Sequence, residues 1–487
     1  MAKISIGNHE ATAFVAGFTL MAFEMVASRI LAPTIGTSIY VWTSVIGIMI
    51  AALAAGYAAG GWLADKRTAP QDIAWLSLAS AIAMTTALLV YPSLLATLSV
   101  AFNDQRVQGV IAACVLFLPA SFLLGMLSPY LARLQVKSLD TTGRSVARLS
   151  ALNSIGGILG TFCVGFILFS VIGSRETLTF LVVLMVLVSW LSVPRHRVRW
   201  RLWVTGVLLF VVLLQVAVAA RALQPVQIDT ATAHYTVVDA LYNKRPARLL
   251  QTDPRGYQSG IYLDNSGDLA FDYTQRMAQI VAAAPQKARI LVVGGGVFTL
   301  PEYLGRHYQG SHIDVVEIDP QLQDIAKKYF NYVPPANVTT YATDARAFLA
   351  KAPTAQYDVI LVDAFDGDSA MPFSLATSQY TNQLARVATQ NAVIAANIIG
   401  APSGVCAPLT ASINASYRSV FSQGMLLRVG DRQPSVVQNI IGIYANAHLN
   451  WAQSLGQQLQ PIAAQPTRLT DNFAPIEALW QSCKSAN

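Results

Sequence analysis

The chain of 487 residues is 54% hydrophobic and only 12% charged, with a mean hydropathy of +0.44. That is too apolar for one water-soluble globular protein and too long for one domain. Through Arg221 there are 15 Lys or Arg against 7 Asp or Glu, a net +8; beyond it there are 18 against 19, a net −1. The basic balance therefore belongs to the first half. No stretch interleaves basic and aromatic residues as a nucleic-acid surface does, so no nucleic-acid partner is expected.

In chain order, the first half offers seven apolar runs, at about 11–32, 39–63, 73–92, 108–128, 149–172, 176–193 and 202–220. A bilayer span takes about 20 residues. The runs are rich in Gly, Ala and Ser ("AALAAGYAAGG", "LNSIGGILGTF"), the residues that let membrane helices approach closely. The spacing predicts a packed, membrane-embedded bundle over 1–223. Glu24 sits inside the first run shortly before Arg29. A carboxylate at membrane depth is a functional candidate with Arg29 as its partner; a structural pair locking the bundle is the equal alternative.

Sidedness follows the Lys/Arg bias of short loops. The connections after the second, fourth and sixth runs carry Lys66, Arg67, Arg133, Lys137, Arg144, Arg148, Arg195, Arg197, Arg199 and Arg201. The alternate ones carry only Arg29, Arg106, Arg175 and Arg221. Ten against four places the N-terminus in the cytoplasm and everything from Gln224 outside it, in a multi-pass protein of the cell (inner) membrane. Residues 195–222, basic at the start and small at the end, read as an internal signal-anchor or as an ordinary basic-flanked span. Cys114 and Cys163 lie in apolar runs as packing residues. Cys406 and Cys483 fall in the second half, where an oxidising compartment would permit a disulfide.

From Gln224 the apolar runs shorten. Residues 224–285 hold alternating runs ("HYTVVDALY", "ARLLQTD", "GIYLDN") that predict a small β-hairpin subdomain. Residues 286–487 alternate strand and helix: "RILVVGGG", "TLPEYLGRHY", "HIDVVEID", "PQLQDIAKKYF", "NVTTYAT", "DARAFLAKA" and "YDVILVDAF", then "NAVIAANI", "GMLLRVG" and "NIIGIYAN". That order implies a Rossmann-like α/β domain with a parallel sheet and its ligand at the carboxyl ends of the strands.

Acids fall at those ends. Gly294, Gly295 and Gly296 follow the first strand, and Glu317 ends the second at the spacing that gives a carboxylate to ribose hydroxyls. Asp344 follows the third, at the place of an adenine contact, although an acid there is equally a helix cap. Asp363, Asp366 and Asp368 crowd the end of the fourth. The histidines are scattered and form no metal-ligand spacing, so no metal is expected. No Ser or Cys stands in a nucleophile motif.

These residues resemble spermidine synthases, the polyamine aminopropyltransferases, from about His234 to Gly400. The match runs through "GGG", "VEID", the "DA" of "TDARAF" and "YDVILVDAFD". The whole chain is similar to a membrane-fused branch whose N-terminal bundle distantly resembles major-facilitator transporters. "FEMVASRILAPTIGTSIYVW", "GGWLADKR" and "RSVARLSALNSIGGILGTF" carry that likeness. The resemblance implies a methyltransferase/spermidine-synthase-type fold. Gly294, Gly295, Gly296 and Glu317 would hold decarboxylated S-adenosylmethionine or a related adenosyl ligand, as substrate, and Asp344 its adenine. Asp363 would deprotonate and aim the attacking amine, and Asp366 would position it.

Two departures qualify that expectation. The family loop reads Gly-Gly-Gly-Asp-Gly, with its Asp on the amine of the donor's aminopropyl arm; Val297 stands there. The family's Tyr-His-Glu corresponds to Tyr273, Thr274 and Gln275. An ammonium tail would meet neutral groups, which is costly when buried. The leading expectation is an aminopropyltransferase-like enzyme with altered or weak polyamine activity. The alternatives are a non-catalytic nucleoside-binding sensor or assembly module, and a polyamine or nucleoside transport component, which seven spans favour only if the chain forms a homo-oligomer.

Overall fold

The computed structural model describes residues 8–484, except 37, 103, 137–141, 193–202, 204–205, 207–225, 231, 253–255, 366–370 and scattered positions between 450 and 463. The chain divides into two compact units, Met1–Gln224 with Ile228–His234, and Pro225–Gln227 with Tyr235–Asn487.

The first unit is helical. Its helices are α1 (Asn8–Ile35), α2 (Ile39–Lys66), α3 (Gln71–Ala101), α4 (Gln105–Leu116), α5 (Leu118–Gln135), α6 (Thr142–Cys163) and α7 (Gly173–Ser192). A π turn, Val164–Leu168, extends α6. Among the described residues, five helices are long and apolar enough to cross a membrane, or six if the bent pair α4–α5 is one span. The expected run at 108–128 is not one straight helix; its axis turns by 51°. Pro119, in the first turn of α5, has no N–H to continue the ladder from α4. The seventh expected run, 202–220, lies outside the described residues but for two positions.

Small residues let the helices touch backbone to backbone. A Cβ on Gly156 would stand 2.0 Å from the Phe14 carbonyl oxygen of α1, and one on Gly56 2.3 Å from that of Phe122 on α5. Such crossings are how membrane helices associate without a hydrophobic drive between them. One end of the bundle is ionic. Arg67 pairs with Asp72 at 3.0 Å, Arg148 with Glu10 at 2.9 Å, and the Tyr130 hydroxyl donates to Asp72 at 2.6 Å. At the other end Arg106 lies over the Tyr40 ring, and Asp229 accepts from the Ser174 N–H at the start of α7 at 2.7 Å. Glu24 and Arg29 do not pair. Arg29 lies over the Phe169 ring at 5.2 Å, and Glu24 enters no ion pair among the described residues.

After the helices comes a four-stranded sheet, most of it in the second unit, in the order β1 (Val226–Asp229), β2 (His234–Tyr242), β3 (Arg245–Gln251), β4 (Ser259–Tyr262). Strands β2 and β3 are antiparallel, with Tyr242 opposite Arg245. Their two-residue turn holds Asn243 and Lys244 at φ +49° and +64°. Left-handed backbone at both positions matches the twist of the flanking strands.

A seven-stranded sheet follows in the order β10-β11-β9-β8-β5-β6-β7. Its strands are β5 (Arg289–Val293), β6 (His312–Glu317), β7 (Val338–Ala342), β8 (Tyr357–Val362), β9 (Ala388–Gly400), β10 (Gln423–Arg428) and β11 (Gln438–Ala445). The helices are α8 (Asp272–Ala282), α9 (Thr299–His307), α10 (Leu322–Tyr329), α11 (Ala345–Lys351), α12 (Ser378–Val387), α13 (Ala407–Arg418) and α14 (Ile476–Lys484). Strands β5 to β9 are parallel; β5, β6 and β8 are buried on both faces, as near-continuous Val, Ile and Leu runs require, and the edge strand β7 is half-exposed. The sheet is not parallel throughout, because β10 and β11 run antiparallel. Segment 429–437 between them holds no helix to carry a parallel crossover. The chain winds from β5 outward to β7, then returns to β8 on the other side of β5. This reversal opens a crevice at the carboxyl ends of β5 and β8.

Candidate active site

The glycine loop leaves β5 into that crevice, and its glycines answer to the backbone around them. Gly294 has φ +97°, and a Cβ there would stand 2.1 Å from the Asp363 carbonyl oxygen. Its N–H donates to the Val316 carbonyl of β6, and that of Asp363 to the Val293 carbonyl of β5. The loop is thus seated between the ends of three strands. Phe298, one step beyond Val297, has φ +61°, a conformation that favours glycine. Its ring is fully buried and stacks on Tyr332 at 5.0 Å, which holds the residue in that conformation.

Glu317 stands across the loop at the end of β6. Its Oε2 accepts from the Gly295 N–H at 2.8 Å and its Oε1 from the Asp319 N–H at 3.0 Å. Burial pushes its carboxyl above the usual range, and those two N–H groups pull the other way. Each oxygen keeps a second lone pair, as a pair of ribose hydroxyls requires. Asp319, two residues on, is structural: it accepts from Tyr235 at 3.0 Å and from the Gln321 N–H at 2.9 Å.

Asp344 caps α11, accepting from the Ala347 N–H at 3.0 Å. The cap reading therefore holds for Asp344, and its carboxylate retains other lone pairs for a ligand.

Asp363 sits just past β8. Asn397 of β9 donates its Nδ2 to Asp363 Oδ1 at 2.9 Å, and Asn439 of β11 donates to Asn397 Oδ1 at 3.1 Å. The Tyr273 hydroxyl lies beside the same carboxylate and within 3.2 Å of the Gln258 carbonyl oxygen. Desolvation pushes Asp363 up to about 6, against the two donors, which lower it. A carboxylate at about 6 is poised to take a proton near neutral pH. Asp366 and Asp368 lie outside the described residues.

The three positions expected to meet the donor's tail are neutral and engaged locally. Val297 is 1% exposed, and its N–H reaches Ser259 Oγ at 3.2 Å. Thr274 donates to the Phe271 carbonyl at 2.7 Å, and Gln275 to that of Leu269 at 2.8 Å. Both side chains are spent on the local backbone. Cys406 and Cys483 are buried and not joined by a disulfide; their thiols adjoin, which lowers that of Cys406. Among the described residues no cluster of His, Cys, Asp and Glu is arranged to hold a metal.

Sequence reasoning missed Ser259, Asn397 and Asn439. Ser259 gives no signal at all, since only the fold brings it to the loop. Asn397 does, as a lone amide near the end of the apolar run "NAVIAANIIG".

Residues 270–421 match the family model of the spermine/spermidine synthase domain. The second half of the chain contains a spermidine synthase-like domain. The polyamine aminopropyltransferase of Vibrio vulnificus is 29% identical over 231 residues, 43% of this chain and 75% of that protein. Putrescine N-methyltransferase 1 of Nicotiana tabacum is 36% identical over 112 residues, 22% of this chain. The chain spans only 28% of the length of that tobacco protein. A probable spermidine synthase from Corynebacterium glutamicum superposes with a TM-score of 0.42 at 21% identity, over 48% of this chain and 89% of that one.

Proposed function

We propose that the spermidine synthase-like domain is a transferase that moves an aminopropyl group from an adenosyl sulfonium to an amine. The observation that carries this reading is the convergence of the glycine loop, Glu317 and Asp363 at the sheet's reversal point. The similarity to an aminopropyltransferase supports it. The loop and Glu317 hold the adenosyl half of the donor, with Glu317 on the ribose. Asp363 takes a proton from the acceptor ammonium, which frees the nitrogen lone pair. That pair forms the new C–N bond as the C–S bond breaks, and its electrons return to sulfur as a neutral thioether. Sulfonium is a good leaving group, so alignment and proton removal are most of the catalysis.

A second reading is N-methyl transfer from S-adenosylmethionine to an amine. It is favoured by buried Val297 in place of an ammonium partner, and by the similarity to a putrescine N-methyltransferase. The first unit we read as a membrane-embedded bundle. Its apolar helices support this, as do the small residues that bring them backbone to backbone.

Mass spectrometry of products from the purified full chain tests the transferase reading, with putrescine and other diamines offered against decarboxylated S-adenosylmethionine or S-adenosylmethionine. Transfer to at least one amine is expected, falling off as the pH drops through about 6 and Asp363 protonates. Spermidine formation from putrescine is expected to be slow or absent. Brisk spermidine synthesis contradicts the reading of Val297, Thr274 and Gln275. No product from either donor contradicts the enzyme and leaves a nucleoside-binding module.

A further inference from the structure

Asp363 is held by a chain of amides that crosses two strands. Strands β8 and β9 are parallel with Val362 beside Ala396, so Asp363 comes next to Asn397 as the two strands continue. Strands β9 and β11 are antiparallel with Asn397 opposite Ile441. Asn439, two residues from Ile441, shares its face and is the diagonal neighbour of Asn397, within reach of a side chain. Asn397 is 1% exposed, in a strand otherwise filled with Ala, Ile and Val. A buried amide in such a strand is costly unless both ends are satisfied. Both are: its oxygen accepts from Asn439 and its nitrogen donates to Asp363.

The polarity of the chain matters. Asn439 can satisfy the Asn397 oxygen only by donating, and this turns the Asn397 amino group toward Asp363. Tyr273 offers a single hydroxyl proton, with the Gln258 carbonyl as a rival acceptor at 3.2 Å. Asn397 is therefore the committed donor to the carboxylate. We propose that Asn397, oriented by Asn439, is the positioning residue for Asp363. It pins Oδ1 and leaves Oδ2 to face the acceptor amine. This rests on the reading of Asp363 as the proton acceptor.

Fixing one oxygen does two things. It aims the free oxygen into the crevice, and it stabilises the ionised form that burial disfavours. Among the described residues, Tyr273 is the titratable group that faces Asp363, from α8. Asn397 on β9 and the glycine loop bring no charge.

The test is an infrared titration of the Asp363 carboxyl in the full-length protein, with the band assigned by its loss in Asp363→Asn. The wild-type midpoint is expected at about 6. Asn397→Leu should raise it by about one to two pH units, the equivalent of one hydrogen bond to a charged group. Asn439→Leu should raise it by less, since Asn397 remains but is free to turn. Where transfer is measurable, the acid limb of kcat/KM should move by the same amount. If Asn397→Leu fails to fold, Asn439→Leu decides. A midpoint unmoved in the folded variants overturns the positioning role. The titration reads the carboxyl whether or not any amine is turned over, so a chain without transferase activity defeats the reading of Asp363 as base without touching this result.

Discussion

Val297 marks where the site departs from one that pairs with an ammonium. Its side chain is packed away from solvent, and its neighbour Phe298 keeps a left-handed backbone by stacking its ring on Tyr332. The loop is therefore repacked around apolar groups. Val297→Asp would place a carboxylate there without a partner, costing on the order of 3–5 kcal/mol for an unpaired buried charge. A melting temperature lower by roughly 6–15 °C is expected at pH 7, and the loss should shrink as the pH falls and the carboxyl protonates. Decarboxylated S-adenosylmethionine, whose tail ends in an ammonium, should restore part of the stability. Calorimetry with and without that ligand checks this. A variant as stable as wild type would show that position 297 opens to solvent and that the ammonium-binding half is intact.

Among the elements, periodicity made the strands from Arg289 to Val362 legible, because parallel strands buried on both faces are continuous Val, Ile and Leu runs. The direction of β10 and β11 was not, because antiparallel pairing depends on how the chain returns and not on strand composition. The bend between α4 and α5 had a local cause in Pro119, yet an apolar run reads as one span whether or not its helix breaks. Helix α10 begins at Leu322, beyond Pro320, with Asp319 binding the Gln321 N–H ahead of it. Within the site, Gly294–Gly296, Glu317 and Asp363 could be found because each follows a strand directly. Ser259 reaches the loop from β4, and Asn439 reaches Asn397 through a diagonal register that sequence does not display.

At the scale of the molecule, the sidedness of the second unit is a proposal that rests on the Lys/Arg bias of the first half's connections. At one end of the bundle Arg67 and Arg148 pair with Asp72 and Glu10. We propose that the connections richer in Lys and Arg face the cytoplasm. A C-terminal alkaline phosphatase fusion is therefore expected to be active and a fluorescent-protein fusion dark. A bright fluorescent fusion would place the domain on the cytoplasmic side. The proposed adenosyl site stands apart from that question, because the glycine loop, Glu317 and Asp363 all lie in the second unit. Its central claim is that the glycine loop and Glu317 bind the nucleoside half of a donor. Titration calorimetry of the full chain with methylthioadenosine measures this directly. Binding to wild type is expected, and Glu317→Ala should weaken it tenfold or more, since each hydrogen bond to a charged acceptor contributes about 1.5–3 kcal/mol. No heat with the wild type, or equal affinity in the variant, would contradict the account.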